Sequence, residues 1–99
     1  MRKIEVLEEA QHDLIRGYFF YEGQDQGLGS YFRNQIRLDI RAIGDYFGQH
    51  RIYFGYHRAL SHVFPYAIYY RDFDDIRQII AILDMRQSPD KIQSMLKAR

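Results

Sequence analysis

The sequence predicts an α+β domain: an N-terminal strand, an α-helical hairpin, a three-stranded antiparallel meander and a short C-terminal helix. Three observations predict it. The apolar period lengthens from two to three or four residues at Glu8 and stays helical as far as Phe47. Two strand-like runs, FPYAIYYR and IRQIIAILD, follow in the second half. The acidic segment Asp72–Phe73–Asp74–Asp75 joins them as a turn.

Residues 3–7 alternate and read as a short strand. Leu7, Ala10, Leu14, Tyr18 and Tyr21 then recur at helical spacing, with Glu8 and Glu9 in the first turn, where the helix dipole favours negative charge. The segment GQDQGLG from Gly23 ends this helix. A second helix is predicted from Leu28 to Phe47, with Leu28, Phe32, Ile36, Ile40, Ile43 and Phe47 on one face and Arg33, Arg37 and Arg41 as a solvated stripe beside it. Asp39 falls inside the apolar arc, where a carboxylate needs a partner, and a sheet arginine such as Arg58 is the expected one. The short connection makes the two helices an antiparallel hairpin. After Gly48, strands are predicted at Tyr56–Leu60, from about Pro65 to Arg71, and at Ile76–Leu83. The last is apolar on both sides, as a covered central strand should be. Ser88–Pro89–Asp90 is a helix start, and Lys91–Leu96 is the final helix. The hairpin is expected on one face of a four-stranded sheet.

Ninety-nine residues make a single domain spanning 1–99. Cysteine is absent, which excludes disulfides and thiolate metal sites. No apolar run resembles a signal peptide or a membrane span, so a cytoplasmic protein with no membrane partner is expected. The net charge of +1 hides an asymmetry. Residues 1–50 carry six Lys/Arg and eight Asp/Glu; residues 51–99 carry eight and five. The basic second half supports weak steering toward an anionic partner. Most of the nine tyrosines read as half-buried sheet residues.

Arginines punctuate the strands at Arg58, Arg71 and Arg86, and such a sheet suits phosphate or carboxylate. A clamp by Arg58 and Arg86, with His57 or His62 moving a proton, is the arrangement RNA cleavage would need. Strand alternation sets His57 and Arg58 on opposite faces. The same arginines can instead pair with Asp84 or Asp39. His12, His50, His57 and His62 lack ligand spacing, so no metal is expected. Gly27–Leu28–Gly29 is no phosphate loop, Ser61 beside His62 is no nucleophile pair, and no cofactor is expected.

The order of elements, together with YHRALSHVFPYAIYYR and LDMRQSPDKI, resembles the RelE/ParE toxin superfamily, and its ParE-like, plasmid-stabilization branch in particular. The resemblance covers nearly the whole chain and is most specific at Gly55–Arg58, Phe64–Arg71 and Leu83–Pro89. It implies the toxin component of a type II toxin–antitoxin system, with a cognate antitoxin protein as partner. RelE-like members cleave mRNA on the ribosome with basic residues and often a C-terminal tyrosine or histidine. ParE-like members are similar in fold and act on DNA gyrase. Here Arg58 and Arg86 match two of the family's arginine positions and are the candidate catalytic residues. No lysine cluster precedes the second strand, and neither tyrosine nor histidine follows Arg86.

Those departures favour a toxin that binds and inhibits a protein target such as DNA gyrase. The alternatives are a ribosome-dependent endoribonuclease acting on ribosome-bound mRNA, and an inactive antitoxin-binding module. Phe20 lies opposite Leu7, Leu14 and Tyr18 on the first helix and is expected to be exposed as an anchor for another chain. Arg71 and Tyr70, at the end of the FPYAIYYR run, complete the candidate binding residues.

Overall fold

The alternating Lys3–Val6 segment forms β1, and the helical period beginning at Glu8 gives α1 (Glu8–Glu22) and α2 (Leu28–Asp45). This computed structural model describes residues 2–99. The remaining elements are β2 (Ile52–Tyr53), β3 (Tyr56–Leu60), β4 (Tyr66–Phe73), β5 (Ile76–Asp84) and α3 (Pro89–Lys97). One sheet contains all the strands in the order β1-β5-β4-β3-β2. β1 runs parallel to β5, and every other pair is antiparallel. The sheet therefore has five strands rather than four. The added one, β2, is two residues long, too short for periodicity to reveal. It exists because Phe54 and Gly55, both at positive φ, fold Ile52–Tyr53 back onto β3.

The hairpin turns on glycine and on one carboxylate. A Cβ at Gly29 would lie 2.5 Å from the Tyr18 carbonyl oxygen, so the helices approach as closely as they do only with glycine there. Glu22, at the end of α1, accepts from the backbone N–H of Gly27 and of Gly29 at 3.0 and 2.9 Å. It thereby serves the otherwise unpaired first amides of α2.

The hairpin buries Ala10, Tyr21, Phe32, Ile36, Ile40 and Ile43 against Ile68, Tyr70, Ile79 and Ile82 on one sheet face. On the other face, α3 lays Ile92 and Leu96 over Ala67, Tyr69, Ala81 and Leu83. Coverage on both sides explains the continuous apolar run of β5. Ser88 caps α3, its hydroxyl accepting from the Lys91 N–H at 3.2 Å, with Pro89 next in line.

Two charged groups, Asp13 and Arg77, are buried at positions that no periodicity marks. β1 stops at Val6, leaving β5 without a parallel neighbour beyond Ile79. Asp13 from α1 accepts the freed Ile82 N–H at 3.0 Å, and Arg99 donates to the Ile80 carbonyl at 3.1 Å and to both Asp13 oxygens at 2.7 and 2.8 Å. Side chains thus finish the edge that β1 leaves open. Arg77 interrupts the apolar run of β5 and is completely buried. It donates to Asp72 through Nε and a terminal nitrogen, and to the carbonyls of Ile43, Tyr46 and Gly48 at 2.9, 3.2 and 2.8 Å. This arginine ties the α2–β2 connection to the sheet.

Candidate binding surfaces

β3 alternates as strands do, so His57 and Arg58 leave on opposite sides. His57 lies across from Tyr70 on the helix side, and its Nδ1 is 2.7 Å from the His50 carbonyl oxygen, so it is the protonated nitrogen. Arg58 lies across from Tyr69 on the α3 side. Its guanidinium carbon stands 3.5 Å from the centre of the Tyr53 ring, and that of Arg51 stands 5.3 Å from the same ring. The Arg58 Nε is buried without a hydrogen-bond acceptor. No carboxylate lies within ion-pair distance of Arg51 or Arg58 among the described residues. Two unneutralised guanidinium groups at one tyrosine, on a sheet edge, form an anion-receptive surface.

Arg86 belongs elsewhere. It follows β5 and forks onto Asp84, donating at 3.0 and 2.7 Å, and reaches the Tyr21 hydroxyl at 3.4 Å in the helix-side core. That pairing holds the Asp84 carboxyl below, and the Arg86 guanidinium above, its ordinary range. Arg58 and Arg86 therefore do not converge on one phosphate. The expected clamp is replaced by an open site at Arg58 and a self-neutralised pair at Arg86.

The other expected residues separate in the same way. Tyr70 is completely buried, and its hydroxyl accepts from the His50 N–H at 2.9 Å and lies 2.7 Å from His50 Nδ1. It positions a loop and offers no surface to a partner. Burial, followed by the nearby Arg77 charge, pushes the His50 imidazole below its usual range, so neutral Nδ1 accepts a hydrogen bond from the Tyr70 hydroxyl. Arg71 is exposed and donates to Gln78 at 2.8 Å. Phe20 is 49% exposed. It borders a cleft of about 260 Å³ with Arg16, Tyr66, Asp84 and Met95.

Asp39 is buried as expected, but not by Arg58. Arg58 leaves β3 on the opposite side of the sheet. Instead Ser61 donates to Asp39 at 2.6 Å, His62 Nδ1 lies at 2.7 Å and Gln35 donates at 3.3 Å. The adjacent Ser61 and His62 of the β3–β4 loop were the available signal, since a polar pair just after β3 can supply donors to a carboxylate on the facing helix.

A second surface lies on the outside of the helical hairpin. Leu14, Ile15, Tyr18 and Phe19 with Arg33 and Arg37 line a depression of about 380 Å³. It continues into one of about 400 Å³ through the shared Leu14, Ile15 and Arg37. The Arg33 guanidinium carbon sits 5.0 Å from the centre of the Tyr18 ring, and its Nε is buried without an acceptor. The stripe read as simply solvated thus contains a half-buried cation with no carboxylate partner among the described residues.

No protein-family model matches the chain, and no curated protein sequence matches it. Among solved structures, a chain of the chromosomal ParDE TA system from P. aeruginosa is similar, with a TM-score of 0.68 at 15% identity. The match covers 87% of this chain and 98% of that one. At that identity the likeness is one of fold, and it agrees with the α+β architecture described above.

Proposed function

We propose that this protein is the toxin of a type II toxin–antitoxin pair and acts by binding and inhibiting a protein target such as DNA gyrase. The observation that carries this reading is the fold shared with a chain of a ParDE toxin–antitoxin system over 98% of that chain. The separation of Arg58 from Arg86 supports binding over cleavage, because Arg86 is drawn onto Asp84 and toward the Tyr21 hydroxyl and does not join Arg51 and Arg58 to complete a phosphate clamp from β5. The antitoxin's place is the outer groove of the hairpin. An amphipathic segment would set apolar side chains against Leu14, Ile15, Tyr18 and Phe19, and its carboxylates would meet Arg33 and Arg37. A half-buried guanidinium whose Nε has no acceptor is what such a carboxylate would satisfy.

One observation favours the second reading, a ribosome-dependent endoribonuclease. Arg51 and Arg58 are unneutralised and stacked on Tyr53, as a site for a phosphodiester would be. The two readings separate on induction of the protein in cells, with DNA supercoiling, translation and mRNA ends followed together. Growth arrest with altered supercoiling and intact mRNA is expected. New mRNA ends at unchanged supercoiling would select the nuclease, and undisturbed growth would leave an inactive antitoxin-binding module.

A further inference from the structure

β1 is an edge strand whose outer side the fold leaves partly unpaired. It lies at one end of the sheet and runs parallel to β5. The Lys3 N–H donates to the Asp75 carbonyl and the Leu7 N–H to the Ile79 carbonyl, each at 3.1 Å. Alternation therefore turns the backbone groups of Arg2, Ile4 and Val6 away from β5. Two of those outward groups are used. The Arg2 N–H donates to the Gly44 carbonyl at 3.3 Å, and the Val6 carbonyl accepts from the Gln11 side chain at 2.9 Å. Between them, the Ile4 N–H, the Ile4 carbonyl and the Val6 N–H have no partner among the described residues.

A trough begins at this open stretch. Val6, Gln11, Leu14, Ile15, Arg37 and Ile40 line a depression of about 400 Å³, which runs on through Leu14, Ile15 and Arg37 into the hairpin groove. No carboxylate lines either part. Arg33 and Arg37 make no ion pair among the described residues, and the Arg33 Nε has no acceptor. The carboxylates at the ends of the trough are placed otherwise. Glu8 stands 3.9 Å from His12, Glu22 is taken up by the Gly27 and Gly29 amides, and Asp45 closes α2 beyond the lining residues. Lys3 and Glu5 leave β1 on the face away from the hairpin, where they offset each other. The unpaired strand groups and the uncompensated apolar trough are separate observations, and they meet at Val6.

We propose that an extended segment of the antitoxin adds to the sheet at β1, hydrogen-bonded to Ile4 and Val6, before its apolar and acidic residues enter the hairpin groove. This rests on the toxin reading and gives the partner segment a conformation, a starting point and a charge. Strand addition supplies the donors and acceptors that the edge lacks, and alternate side chains of the added strand meet Leu14 and Ile40. Carboxylates further along meet Arg37 and Arg33. A bilayer or a nucleic acid offers phosphates to these arginines but no ladder to Ile4 and Val6. A second copy pairing through its own β1 would bring a like row of arginines to the seam and leave Arg33 without an acceptor.

The test pans a phage-displayed library of random linear peptides against the purified protein. The recovered peptides should carry an excess of Asp and Glu over Lys and Arg. The tightest, made synthetically, should slow hydrogen exchange of the Ile4 and Val6 amides at least about tenfold. Val6→Pro removes an outward N–H and no ladder bond to β5, so it should weaken this peptide at least about tenfold. Arg37→Glu, at an exposed position, should weaken it by a similar factor through charge, and it serves alone if proline unfolds the edge. A library that yields no binder, binders without an acidic excess, or protection that spares Ile4 and Val6 would overturn the proposal. So would a wild-type dimer in sedimentation velocity that Val6→Pro makes monomeric, because the edge would then belong to a second copy. Growth arrest on induction reports separately on the toxin reading. Arrest beside unprotected Ile4 and Val6 amides would remove the added strand alone. Undisturbed growth beside protected amides would remove the toxin reading, and the antitoxin as occupant with it.

Discussion

Arg77 and Arg58 occupy nearby strands of one sheet and put the same side chain to opposite uses. Arg77 is completely buried, and all its nitrogens donate within the chain, to Asp72 and to three carbonyls of the α2–β2 connection. Arg58 is half-buried, stacked on Tyr53, with an Nε that has no acceptor. A guanidinium whose donors are all satisfied internally is a structural brace, with nothing left for a ligand. One that is held in place by stacking and left electrically uncompensated is disposed toward an anion from outside.

The largest effect should therefore come from Arg77→Ala. It leaves the Asp72 carboxylate with Gln49 and the more distant Arg2 and strands three carbonyls, a loss on the order of 3–5 kcal/mol for a broken buried pair. The melting temperature should fall by more than about 10 °C. Arg58→Ala should cost less than about 1 kcal/mol, the scale of an exposed cation–π contact. Chemical denaturation of both variants checks the contrast. Equal losses would abolish the distinction between brace and open cation.

The brace also has a pH signature. Hydrogen bonds from Arg77, then from Gln49, hold the Asp72 carboxyl down to about 2 against desolvation that pushes the other way. A folded pKa below the unfolded value contributes stability that is present above the unfolded pKa and is lost as pH falls through the folded one. Stability should thus decline by about 2 kcal/mol from this group between about pH 4 and pH 2. In Asp72→Asn the urea midpoint should start lower at pH 5 and fall less on acidification. A parallel acid decline in both proteins would show that other carboxylates carry the dependence.

How much of this contrast was legible in the sequence follows from which residues carry it. The helices were readable because Phe32, Ile36, Ile40 and Ile43 repeat at three and four, and Asp39 was readable as buried because it breaks that arc. Strand alternation separated His57 from Arg58 correctly. Arg77 was hidden by its surroundings. Inside IRQIIAILD it looks like a surface residue of an otherwise covered strand, and its acceptors are backbone carbonyls some thirty residues earlier. Backbone acceptors carry no side-chain signature. Asp13 and Arg99 were hidden in the same way, since their juxtaposition depends on β1 ending three residues before Ile82 loses its neighbour. Tyr70 looked like a surface candidate because a tyrosine in a strand reads equally as half-exposed or buried.

Asp39 gives an intermediate effect and a sharper assignment of partners. Asp39→Ala removes one buried acceptor shared by Ser61, Gln35 and His62, whose other sides are open to water. A loss of about 2 kcal/mol is expected. The double-mutant cycle of Asp39 with His62 should show coupling of about 1 kcal/mol, whereas that with Arg58 should be additive within about 0.5 kcal/mol. Coupling to Arg58 instead would mean that the loop contacts are secondary and that the arginine crosses the sheet edge.

The smallest effect is expected at Arg71, which stands between the brace and the open cation. Its Nε donates to Gln78, which donates in turn to Glu5 at 2.6 Å, all at the surface. Water replaces such bonds at little cost, so Arg71→Ala should shift stability by no more than about 0.5 kcal/mol. Yet Arg71 is an exposed candidate binding residue, and an exposed charge sets the rate of encounter more than the strength of the complex. Association with the target should therefore change severalfold at low salt and converge with wild type at high salt. An equally large change at both salt concentrations would place Arg71 inside the contact, and a stability loss above about 1 kcal/mol would make it a second brace.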